Sequence, residues 1–139
     1  MIVDASDLIV GRIGTVVAKQ ALMGEKVHVI NCEKAVISGD KKSIFLRYKE
    51  IKERGDTFKG PFFQSMPDRF LRRLIRGMLP YKKERGRLAY KRIHCHLGVP
   101  ESLAKEKMQQ IEAAHISKTK SLKYISIGEL CGKLGGNYG

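Results

Sequence analysis

Tryptophan is absent from the 139 residues, and the three cysteines, Cys32, Cys95 and Cys131, form no CxxC pair. Their odd number argues against a closed disulfide framework, and they read as reduced thiols. Long apolar runs are missing too. Crossing a bilayer takes about 20 consecutive apolar residues, so a soluble chain with no membrane partner is expected. The opening "MIVDASD" is acidic where a secretory or transit peptide would be basic, which points to a cytoplasmic address. HExxH, GxSxG and Walker-type signatures are all lacking, as is a carboxylate pair suited to acid–base work. With no internal repeat or low-complexity tract, residues 1–139 read as a single domain.

Positive charge is what the chain has in excess. The 27 Lys and Arg outnumber the 14 Asp and Glu for a net +13, and the pI of about 9.9 suggests nucleic acid. Residues 41–92 hold 17 basic and 5 acidic side chains, against 4 and 5 in residues 1–40 and 6 and 4 in residues 93–139. A solvated surface mixes both signs along the chain, whereas a segregated block is the electrostatic footprint of a polyanion site.

Residues 1–5 read as a strand, and Leu8 to Met23 as a helix with Asp7 as N-cap and Gly24 past its end. "VHVIN" at 27–31 and "AVIS" at 35–38 are strand-length β-branched runs, the second followed by Gly39-Asp40 as turn and cap. Strand, helix and strand with short connections open a βαβ unit, so the expected class is α/β with a parallel sheet. Lys41 to Arg54 reads as an amphipathic helix with Ile44, Phe45, Tyr48 and Ile51 on its inner face. Residues 55–66 read as a loop with three phenylalanine anchors, and "IHCHLGV" as a fourth strand. Glu101 to Glu112 reads as a helix, "LKYISI" as a short strand, and the final glycines as a loose terminus.

Pro67 and Asp68 suit the first turn of a further helix. On it, Arg69, Arg72, Arg73 and Arg76 fall on one narrow stripe, while Phe70, Leu71, Leu74, Ile75 and Met78 take the remaining face. Four like charges at helical spacing repel one another, a conflict that a polyanion would relieve. Pro80 ends the helix near Leu79. Lys82 to Arg92 reads as a second basic helix weakened by Gly86. Tyr81, Tyr90 and Phe63 lie within or near this block as stacking surfaces for RNA bases.

Two stretches suggest chemistry. Gly11-Arg12-Ile13-Gly14, with Glu33 after the second strand, imitates a dinucleotide fingerprint but has Ile9 where an earlier glycine is required. Gly11, Gly14, Ala18 and Ala21 fit better as a small-residue face for packing helix on sheet. A nucleotide- or methyl-donor-dependent RNA-modifying enzyme is the alternative that this topology keeps open. His94 and His96 would point the same way from a strand, as two metal ligands do, yet neither His28 nor His115 has a carboxylate or Cys at ligand spacing. Structural or RNA-facing histidines are the reading that follows, with no metal and no cofactor.

"GRIGTVVAKQALMGEKVHVINCEKAVISG" followed by "RLIRGMLPYKKERGRLAYKRI" resembles the universal large-subunit ribosomal protein thirteen family over roughly residues 2–100. Lacking both the His-Pro-His stretch of bacterial members and the long C-terminal extension of eukaryotic ones, it resembles the archaeal type. The resemblance implies a three-layer α/β/α fold with a four-stranded, mainly parallel sheet. It also implies large-subunit rRNA and neighbouring ribosomal proteins as partners, with no small-molecule substrate and no catalysis. It marks Gly77, Met78, Leu79 and Pro80 as the bend that ends the arginine helix. Together with the charge pattern it makes Arg69, Arg72, Arg73, Arg76, Lys82, Lys83, Arg85, Arg87, Lys91 and Arg92 the expected rRNA-facing residues.

Overall fold

A computed structural model of the chain describes residues 1–56, 58–120 and 122–136. Strand β1 (Ile2–Asp4) leads into helix α1 (Val10–Leu22), and strands β2 (Val27–Ile30) and β3 (Val36–Ser38) follow. Asp7 does not cap α1. Its backbone is left-handed, with φ 58°, because its N–H donates to Lys34 O and its carbonyl accepts from Ile116 N. The helix therefore starts after Ile9, without a side-chain cap. Helix α2 (Lys41–Glu53) starts where its cap predicts, with Asp40 Oδ2 accepting from Ser43 N at 3.3 Å.

The expected single sheet is not formed. Strands β1, β2 and β4 (Ile93–Cys95) make a three-stranded parallel sheet in the order β1-β2-β4. Strand β3 instead pairs antiparallel with β5 (Tyr124–Ser126), with Ile37 opposite Ile125. The cause is chain length. Parallel neighbours need a crossover of about a dozen residues or more, whereas residues 31–35 offer only left-handed Asn31 and a single 3₁₀ turn, Cys32–Lys34. β4 takes the place beside β2, and β3 touches the parallel system only through a bridge between Ile9 and Val36.

Side chains alternate across the parallel sheet. Val3, Val27, Val29 and Ile93 are fully buried in the main core with Ile13 and Val17 of α1 and with Phe70, Leu71 and Ile75 of α3 (Pro67–Arg76). Each such side chain contributes roughly 1.5–3 kcal/mol when removed from water. On the opposite face, Ile2 and Ile30 are covered by Leu103 and Met108. The covering segment is not the expected helix. Gln109 is tied to the outer edge of β1, its N–H donating to Ile2 O and its carbonyl accepting from Asp4 N. That pairing holds it extended, so residues 101–105 form turns and a helix is replaced by extended chain around Gln109 and a single 3₁₀ turn, Glu112–Ala114.

The chain closes through α4 (Glu84–Lys91) and α5 (Ile127–Lys133). Gly135 and Gly136 are not loose: Gly136 N donates to Cys131 O at 2.8 Å, and a β-carbon at Gly136 would stand 2.2 Å from the Ser65 carbonyl oxygen. The remainder of the expected loose terminus, 137–139, lies outside the described residues, as does position 57 of the phenylalanine loop.

Candidate nucleic-acid interface

Phe70, Leu71 and Ile75 anchor α3 in the core, which turns its arginine stripe outward. The four guanidiniums differ in their surroundings. Arg69 is exposed and its Nη1 donates to Gln64 Oε1 at 3.4 Å. Arg73 Nη1 donates to the Phe62 carbonyl at 3.4 Å, and the Arg76 guanidinium carbon lies 4.7 Å from the centre of the Tyr81 ring. Arg72 is half-buried: Nε donates to Ile93 O at 3.1 Å and Nη2 to Tyr90 O at 3.2 Å, with the guanidinium 4.1 Å from the Tyr90 ring centre. It thus joins α3 to α4 and β4.

Beyond α3 the chain turns through residues 77–80. Met78 N donates to Ile75 O and Leu79 N to Arg76 O, while Leu79 is buried. Met78, expected on the core face, lies beyond the end of α3 and is 41% exposed. Its thioether lies over Gly14, where a β-carbon would approach the sulfur to 2.6 Å. Gly14 therefore serves contact with this bend rather than with the sheet, and Gly11 faces open space. Gly86 is also more than a weak point in a helix. A β-carbon there would stand 2.0 Å from Pro80 O, so its lack of a side chain lets α4 fold back against the bend.

Beyond the bend, Lys82, Lys83, Arg85, Arg87 and Lys91 are exposed. Arg92 is half-buried, with Nη1 donating to Ala21 O at 2.9 Å in the last turn of α1. Among the described residues, no ion pair joins any of these ten cations to a carboxylate. The Arg76–Tyr81 contact and the Arg72 bond to Tyr90 O tie the stripe to the second basic segment, while Arg92 ties that segment to α1.

The structure assembles a further feature that the sequence leaves scattered. Parallel register places His28 beside His94, and the His28 ring stacks on both His94 and His96, with centroids 5.0 and 5.3 Å apart. His28 Nδ1 and His96 Nε2 are 3.0 Å apart, a separation that requires one ring to donate and the other to accept. Burial, followed by the neighbouring His94 and His96, holds His28 below the ordinary imidazole range. Burial, Lys26 and Arg72 do the same for His94. The signal was the shared strand alternation of "VHVI" and "IHCH", legible only once the register is known. Among the described residues, no group of three or more His, Cys, Asp or Glu is arranged to hold a metal ion.

Between α3 and the outer edge of β4 lies a cavity of about 400 Å³ lined by Asp68, Arg69, Arg72, His94, Cys95 and His96. Asp68 Oδ1 is buried and has no hydrogen-bond partner. Two of the thiols are held in the protonated form: a contact with Cys95 and then burial raise Cys32, while burial and the adjacent Asp68 push Cys131 up to about 12. Glu33, the imitation ribose ligand, accepts instead from Gly98 N at 3.1 Å through Oε2.

An α/β chain whose excess positive charge is concentrated on α2, α3, the bend and α4 has the character of a polyanion-binding protein. Comparison with known proteins gives the particular one. The family model described as Ribosomal protein L13 matches residues 1–102. The large ribosomal subunit protein uL13 of Archaeoglobus fulgidus is 46% identical over 135 residues, covering 96% of this chain and 86% of the relative. Those of Methanosarcina barkeri and Methanococcoides burtonii are 45% and 40% identical, each over 99% of both chains. The chain belongs to the uL13 family of ribosomal proteins, and the relatives named above are archaeal.

Proposed function

We propose that this chain is a structural constituent of the large ribosomal subunit, acting in the cytoplasm to bind and hold large-subunit rRNA during assembly and in the finished particle, beside neighbouring ribosomal proteins. Family membership supports that role, and it is the role of a structural protein rather than an enzyme. The observation that supports the mechanism is that the cations of α3, the bend and α4 have no carboxylate partner among the described residues. Arg69, Arg73, Arg76, Lys82, Lys83, Arg85, Arg87 and Lys91 neutralise phosphates, while Arg72 and Arg92 add charge and hold the surface in shape.

Six to ten phosphate contacts would lower affinity for a large-subunit rRNA transcript by about 10³–10⁵-fold between about 50 and about 200 mM salt. Filter binding across that range is the test, and an affinity independent of salt would overturn the mechanism.

A further inference from the structure

We propose that the ring of Phe62 is a stacking platform for one unpaired base of the RNA. The inference rests on the rRNA-binding reading above and adds a base-contacting residue to a surface so far argued from phosphates alone. The three rings expected to stack are otherwise engaged. Phe63 is turned inward, its ring centre 5.6 Å from that of Phe70 and 6.2 Å from that of Tyr48. Tyr90 and Tyr81 each have a guanidinium over the ring, from Arg72 and Arg76. Phe62, read from the sequence as an anchor, is instead 60% exposed.

Exposure alone does not choose Phe62, since Phe58 is barer at 91%. Phe62 is distinguished by being held in place. Asp56 and Gly60 close the loop with a pair of backbone bonds of 3.0 and 2.9 Å. The Phe62 ring lies against Gly60, where a β-carbon would come within 3.0 Å of it, and the Phe62 carbonyl accepts from Arg73 Nη1. A ring fixed before binding loses little freedom when a base settles on it.

Arg73 also decides the class of partner. Its bond fastens Phe62 to the arginine stripe, and Arg69 Nη1 reaches Gln64 two residues further on, so a strand whose phosphates meet Arg69 and Arg73 passes beside the ring. Phe62 lines a cavity of about 310 Å³ in which the cations Lys52 and Arg54 are matched by the carboxylates Glu53 and Asp56. A space without net charge beside a stripe of cations suits an uncharged base whose phosphates lie outside it. Aromatic rings set among cations are the usual means of holding single strands, and stacking tolerates any base because each has a π-face.

The test uses the full chain and a large-subunit rRNA transcript. Phe62→Ala should weaken binding by about tenfold, in the range seen when a stacking ring is removed. The slope of log affinity against log salt should stay that of wild type, because no phosphate contact is lost. Phe62→Leu, apolar but without a π-face, should weaken binding about as much. Phe62→Trp should bind at least as tightly as wild type, and since the natural chain has no tryptophan, its fluorescence reports this position alone. That fluorescence should be quenched by the transcript and by single-stranded oligouridylate. Circular dichroism establishes that each variant is folded, and the tryptophan titration stands if the alanine variant is not. A folded Phe62→Ala or Phe62→Leu protein that binds the transcript as tightly as wild type overturns the platform. Tryptophan fluorescence left unquenched by a transcript that the variant binds overturns it too. In each of these cases salt-dependent binding by the wild type leaves the rRNA reading intact, whereas failure of the wild type to bind the transcript at all overturns both.

Discussion

Gly86 sits so close to Pro80 that a β-carbon on it would lie 2.0 Å from the Pro80 carbonyl oxygen and 2.7 Å from Tyr81 N. Both obstacles are backbone, so neither can rotate away. Helix propensity alone would make Gly86→Ala stabilising by roughly 1 kcal/mol. The expected outcome is the reverse, a loss of about 1–3 kcal/mol as the bend is forced away from α4. Urea unfolding at equilibrium gives the sign, and a stabilised variant would show that the two segments are free to part.

Arg72 and Arg85 separate fold from binding. Replacing Arg72 by Ala removes charge-assisted bonds to Ile93 O and Tyr90 O, with an expected loss on the order of 2–3 kcal/mol. Lys at that position restores the charge but not the fork that reaches both carbonyls, and most of the loss should persist. Unfolding midpoints of Arg72→Ala and Arg72→Lys, compared with wild type, decide this. Equal stability of all three would remove Arg72 from the framework.

Arg85 and Arg87 are exposed on α4. Reversing both to Glu should leave stability within about 0.5 kcal/mol while weakening binding of the rRNA transcript. The slope of log affinity against log salt should become shallower by about 2, roughly one unit for each phosphate that is no longer neutralised. An unchanged slope would place these residues away from phosphate.

The histidine stack predicts a pH dependence with a definite sign. His28 and His94 both lie below their ordinary value of 6.5 in the folded protein. As pH falls through 6.5, the unfolded chain takes up protons first, so stability drops from there until the folded imidazoles also protonate, and is level above it. The carboxylate Asp4 does not share this window. Burial alone would raise it, but hydrogen bonds from Ser6 and Asn31 and the charge of Lys34 bring it below its ordinary 3.8. The midpoint of thermal unfolding should therefore fall between about pH 7.5 and about pH 5, and His28→Asn should flatten the decline. A wild-type midpoint indifferent to pH over that interval would contradict the half-buried histidine cluster.

Local signals in the sequence succeeded where local physics decides the outcome. Asp40 caps α2 because its carboxylate needs only the N–H of Ser43 three residues on, and the apolar face of α3 follows from helical spacing alone. The misplacement of β3 had another origin: strand propensity identifies an extended run but not its partner, and the short link through Cys32–Lys34 excludes β2 as a parallel neighbour. The helix expected over Glu101 to Glu112 does not form because Gln109 pairs with β1 across more than a hundred residues. Separation in sequence also hid the structural work of Met78, which meets Gly14, and of His28, which meets His94 and His96, while Gly86 lies close to Pro80 in sequence but its role depends on how α4 folds back on the bend.

The outer edge of β4 has no strand partner among the described residues. Such an edge is a template on which a second chain can add itself, and edges of this kind nucleate aggregation. Here the Ile93 carbonyl is already engaged by Arg72, and Arg69 adds a further positive charge beside the same strand. A newly made chain that has not yet met RNA therefore carries its own guard against sticking to its copies. The charge proposed to meet a polyanion works here against pairing with a copy of the same strand.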